Sequence, residues 1–109
     1  MTNYSNGTAR EYKVRDHMIE HGWVLVSRAA GSHGAADLVM VHPDHGVALV
    51  QVGSRTKTLT PDARERLCAL ADLCGALALL AVVVPREPIT YSLVTRDTAS
   101  KWQSFEVCA

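Results

Sequence analysis

The sequence predicts one α/β domain, a mixed central sheet of about five strands flanked by helices in the order α-β-β-β-α-β-β. Three observations carry this. The runs Val47–Val52 and Leu77–Val84 are almost continuously apolar, as in strands buried on both faces. Between them, Thr60-Pro61-Asp62 leads into Ala63, Leu67, Leu70, Ala71 and Cys74, an N-cap, a proline suited to a first turn and an apolar helical stripe. A strand, a crossover helix and a second strand imply parallel pairing. Finally, 109 residues at 48% hydrophobic content are enough to build one core without disulfides or a structural metal.

Taken in order, residues 1–7 are polar and read as a flexible N-terminus, with 8–109 forming the domain. Thr8–His21 reads as a helix with Val14 and Met18 on one stripe and Gly22 as its stop. Trp23–Ser27 is a short strand, Arg28–Ala35 is turn-rich, and Asp37–His42 is a second strand. Pro43–Gly46 turns the chain into the third strand, so the first three form an antiparallel meander. After the capped helix, closed by Gly75, come Leu77–Val84 and, beyond Pro85–Pro88, the alternating Ile89–Val94. Ser100–Cys108 suits a short helix or strand, with Trp102 and Phe105 covering a sheet edge.

The composition excludes several classes. No apolar run has membrane-spanning length and the start lacks the pattern of a secretory signal, so a cytoplasmic protein is expected, or one acting in a host cytoplasm if phage-encoded. Eleven basic and eleven acidic side chains cancel, removing the broad positive field common among nucleic-acid binders. A local basic rim at Arg55, Lys57, Arg64 and Arg66 remains, although Arg64 and Arg66 also suit a solvated helix face. Cys68, Cys74 and Cys108 have no zinc-type spacing and read as buried thiols. His17-Met-Ile-Glu20-His21 spells the inverted zinc-protease motif. Its third ligand would have to come from a downstream helix, so it reads as coincidental. His42 and His45 flank a turn and read as solvated.

Polar residues inside apolar elements need partners or a ligand. Asp37 opens the second strand and Gln51 lies near the end of the third. The intervening hairpin sets them across from each other. Glu11 falls on the stripe of Val14 and Met18, so its carboxylate leaves the helix toward the sheet. Two carboxylates and an amide oxygen suit Mg²⁺, or Mn²⁺ as substitute, better than zinc. Plainer roles exist for each: Thr8-Ala-Arg-Glu11 spells a capping box, Asp37 can cap a loop, and Gln51 can bond backbone. Ser32 and His33 sit in a Gly31-Ser-His-Gly34 turn whose chemistry alone reads as structural.

Glu11, the run Arg28-Ala-Ala-Gly-Ser32-His33-Gly-Ala-Ala-Asp37 and Val50-Gln51-Val52 together resemble the archaeal-type Holliday-junction resolvases of the PD-(D/E)xK nuclease superfamily, including small phage-like members. The resemblance spans residues 5 to 95. It implies a restriction-endonuclease-like fold, a metal held by Asp37, Gln51 and the Val52 carbonyl, with Glu11 acting through water, and Ser32 at the scissile phosphate. Arg10, Arg28, His33, Arg55 and Lys57 are then the expected DNA contacts. A four-way junction has two-fold symmetry, so a homodimer is expected, with the fourth and fifth strands or the Trp102–Phe105 segment as candidate surfaces. The chain departs from the family where its motif ends in lysine: here the residue is Gly53. The sequence therefore admits a metal-dependent endodeoxyribonuclease on branched DNA, a catalytically inactive relative that binds branched DNA or a protein, or a flap or duplex nuclease of the same superfamily.

Overall fold

A computed structural model describes residues 5–28, 35–56 and 58–108, with residues 5–7 described for backbone only. The elements are α1 (Ser5–Glu20), β1 (Val24–Arg28), β2 (Leu38–His42), β3 (Gly46–Gly53), α2 (Pro61–Cys74), β4 (Leu77–Val82), β5 (Thr90–Leu93), a 3-10 turn (Ala99–Lys101) and β6 (Gln103–Ser104). The strands form one mixed sheet in sequence order, with β3 and β4 parallel and the other neighbours antiparallel. This is the restriction-endonuclease-like arrangement expected. The sixth strand is an addition, two polar residues paired to β5.

Among the described residues, each face of the sheet carries one α-helix. On one side Val14 and Met18 of α1 pack with Trp23, Leu38, Met40, Val50, Leu79 and their neighbours. On the other, Leu67, Cys68 and Ala71 of α2 meet Leu49, Ala78, Leu80 and Val94. Side chains of a strand alternate between faces, so β3 contributes Ala48, Val50 and Val52 to the α1 side and Leu49 to the α2 side. That double burial explains its unbroken apolar sequence. β4 is likewise interior, paired on both edges, which removes it as a dimer surface. Exposed apolar area lies instead on the edge strand β1, where Val24 and Val26 are each 61% exposed, and on α2, where Leu73 is 85% exposed.

The ends of α2 form as the sequence predicts. The Thr60 side chain accepts from Ala63 N at 3.1 Å, and Gly75 takes the left-handed conformation, φ 64°, at the C-terminus. Thr60→Ala should lower unfolding stability by about 1 kcal/mol, read as a shift of the urea midpoint at unchanged slope.

The start of α1 differs from expectation. The helix begins at Ser5, a turn before Thr8, taking in residues read as part of a flexible lead. Thr8 therefore lies inside the helix, and a capping box, which needs a non-helical Ser or Thr at its head, does not form there. The C-terminal segment closes the α1 face. Val107 is 2% exposed, its carbonyl accepts from Trp23 Nε1 at 3.2 Å, and Phe105 N donates to Tyr91 O at 2.9 Å. His42 and His45, expected in solvent, pack on Trp23 instead, with His45 stacked at 5.5 Å between centroids. A buried indole face offers them more contact than water does.

Candidate active site

Asp37 stands at the mouth of β2, 8% exposed. Its backbone N donates to Val50 O at 2.8 Å, and its Oδ2 accepts from Val52 N at 2.9 Å. The carboxylate thus takes a β3 donor beyond the last β2 pair, Leu38↔Val50, and is fixed by main chain. One more step in that register sets Gln51 opposite Asp37. Gln51 Nε2 donates to Ala35 O at 2.6 Å, which fixes the amide orientation, since only the nitrogen can donate. Any further bond accepted by Gln51 comes through Oε1. Val52 lies in register with Ala81 of β4.

Glu11 is also 8% exposed, but it approaches from the α1 face, whereas alternation puts Gln51 on the α2 face with Leu49. Its Oε1 lies 3.2 Å from Arg28 Nε. The ion pair joins α1 to the end of β1, where Arg28 pairs with Leu38, the residue after Asp37. The two acids therefore occupy the same end of the sheet on different sides. The Arg28 Nε is buried with no hydrogen-bond partner among the described residues; its contact with Glu11 is Coulombic rather than an aligned bond. The guanidinium also lies 5.0 Å from the centre of the Tyr12 ring, a cation–π contact that holds it in place.

Gly53 ends β3 in register with Val82, and its carbonyl accepts from Val83 N at 3.0 Å. Just beyond, Ser54, Arg55 and Thr56 line a cavity of about 290 Å³ with Arg10 and Lys13 of α1 and the exit of β4. Three cations therefore surround one concavity in a chain of zero net charge. Arg55 is exposed and paired with Glu87 at 3.0 Å. Lys13 was not singled out from the sequence. Its spacing of three from Arg10 on one helix is the signal that would have found it. Ser32, His33 and Lys57 lie outside the described residues.

The thiols divide. Cys68 is buried, with burial pushing its pKa up and its Sγ directed at Val94 O at 3.7 Å, so it is a core residue. Cys74 and Cys108 are exposed, contrary to the expectation of buried thiols. Cys74 is the last residue of α2 and Cys108 follows the buried Val107. Among the described residues, no helix is long and apolar enough to cross a membrane.

No protein-family model and no curated protein matches the sequence. Among solved structures, the chain is similar to Hjc, a Holliday junction resolvase of the archaeal hyperthermophile Archaeoglobus fulgidus, at a TM-score of 0.68 and 26% identity, over 80% of this chain and 71% of that one.

Proposed function

We infer, from a chain that shares its fold with an archaeal Holliday junction resolvase and carries Glu11, Asp37 and Gln51 of that family's pattern, that it is a metal-dependent endodeoxyribonuclease acting on branched DNA. The observation that carries this reading is the pair at the mouth of β2 and β3, a buried carboxylate held by Val52 N and a facing amide held by Ala35 O. A buried acid without a cationic side-chain partner among the described residues is costly unless a ligand uses it. The donors left, carboxylate and amide oxygens, fit Mg²⁺ or Mn²⁺. Such an ion, when bound, would activate water and stabilise charge on a phosphodiester.

The chain's own residues have separable tasks. Asp37 and Gln51 hold the ion with the Val52 carbonyl. Glu11 orients Arg28 through Nε, and the guanidinium, 27% exposed, is suited to a phosphate oxygen. Arg10, Lys13 and Arg55 receive the backbone of a DNA arm in the cavity beyond Gly53, with Ser32, His33 and Lys57 as further contacts. Lys13→Ala should weaken binding to every DNA sequence alike and flatten the salt dependence of log K by about one unit, measured by fluorescence anisotropy across a salt series. Junction symmetry favours a homodimer, to which the exposed β1 valines offer an apolar edge.

The test is cleavage of a labelled four-way junction against linear duplex and flap, with and without Mg²⁺, at fixed salt. Symmetric, metal-dependent nicks in the junction support the reading; equal cutting of duplex or flap transfers it to the other nucleases of the superfamily. Gly53 favours a second reading, a catalytically silent chain that binds branched DNA. Junction binding that survives Asp37→Ala, with no cleavage under any metal, would establish that one.

A further inference from the structure

We propose that His17, His21 and Cys108 form a second metal site, separate from the strand-end carboxylate, which takes zinc or a cation of similar softness. Their three donor atoms all lie within 4.8 Å of one another. His17 lies in the last turn of α1 and His21 in the turn directly after it, where its N donates to Met18 O at 2.9 Å, and their rings meet edge-on at 4.9 Å between centroids. The third donor comes from the other end of the sequence. Cys108 follows Val107, which is buried and hydrogen-bonded through its carbonyl to Trp23, while β6 is paired to β5. The thiol is therefore delivered to the helix by anchored backbone. The ligand that the H-x-x-E-H pattern lacked in sequence is supplied by the C-terminal segment rather than by a second helix.

The surroundings fit a metal ligand set. His17 Nδ1 is 2.9 Å from the Tyr91 hydroxyl, so Nε2 is the nitrogen left for the ion, and the phenol serves as the outer partner that fixes a ligating imidazole. Tyr91 is 4% exposed, so the phenol is held in place by its packing. A thiolate with two imidazoles selects zinc-like ions over magnesium. Tetrahedral zinc spaces its ligand atoms roughly 3.3–3.8 Å apart, so about an ångström of side-chain adjustment closes the site.

A cavity of about 260 Å³, lined in part by His17, Tyr91, Phe105 and Cys108, opens beside the triad. It gives the ion an entry path and leaves a fourth position to water. At 3.6 residues per turn, His17 lies about 120° around α1 from Glu11, so the two sites use different sides of the helix. Zinc here would tie the last turn of α1 to the C-terminal segment.

The test uses the full chain stripped of metal and titrated with Co²⁺, then Zn²⁺. The expected result is one equivalent of Co²⁺ giving a thiolate charge-transfer band and tetrahedral visible bands, both displaced by one Zn²⁺ per chain. Cys108→Ser should abolish the charge-transfer band, and both it and His21→Ala should weaken Zn²⁺ binding by about a hundredfold or more. Cys74→Ser and Asp37→Asn should leave binding unchanged. Zinc should raise the thermal midpoint of the wild-type chain and not of Cys108→Ser, with far-UV circular dichroism confirming that each variant is folded. A charge-transfer band that persists in Cys108→Ser, Zn²⁺ uptake lost in Asp37→Asn, or no stoichiometric uptake by the folded wild-type chain would overturn the proposal.

Discussion

Asp37→Asn should lower metal-dependent junction cleavage by about three orders of magnitude, the scale seen when a preorganised charge-stabilising group is removed, while leaving the fold in place. The substitution is nearly isosteric. An asparagine Oδ1 can still accept from Val52 N, so the bond now measured at 2.9 Å survives and the mouth of the hairpin stays closed. What disappears is the negative charge at an 8% exposed position, which the proposed Mg²⁺ requires. Single-turnover rates on a four-way junction, beside a thermal melt within a few degrees of the parent, check both halves. Undiminished cleavage in a folded variant would remove Asp37 from the site.

The second large effect concerns a residue that is absent. Gly53→Lys should raise the cleavage rate by about two to three orders of magnitude. Gly53 lies two residues beyond Gln51, so a side chain there leaves the same strand face. The backbone already has strand geometry in register with Val82, which any residue can adopt. A lysine would bring a cation to the pair Asp37 and Gln51, where Arg55 is instead engaged with Glu87. The assay is junction cleavage by parent and variant at matched Mg²⁺. Activity that appears only in the variant identifies the parent as a binding form of the fold. Equal activity in both would show that another cation, with Arg10 and Lys13 of the neighbouring cavity as candidates, already fills the role.

The elements legible in the sequence are those whose signals are local. Thr60, Pro61 and Gly75 mark both ends of α2 by chemistry confined to a few residues, and the apolar run of β3 follows from burial on two faces. Asp37 and Gln51 could be paired because a short hairpin fixes their register. Other features depended on distant partners. β6 is two polar residues with no periodicity, and it exists only because β5 offers an edge. Glu11 spells a capping box, yet its helix starts a turn earlier and the carboxylate meets Arg28. Cys108 was uninformative in sequence because its neighbours, His17 and His21, stand 91 and 87 positions away by their numbers (108 − 17 and 108 − 21).

The bond from Trp23 to the carbonyl of Val107 spans 84 positions, and it sets an order for biosynthesis. On the ribosome the meander β1 to β3 and the β3-α2-β4 crossover can assemble while the chain is still growing. The α1 side cannot seal until Val107, and the ring of Phe105 against Trp23, have followed the rest of that side out. Until then Val14, Met18 and the indole have only part of their native cover. Docking of Phe105 and Val107 is therefore the step that closes the α1 side of the sheet.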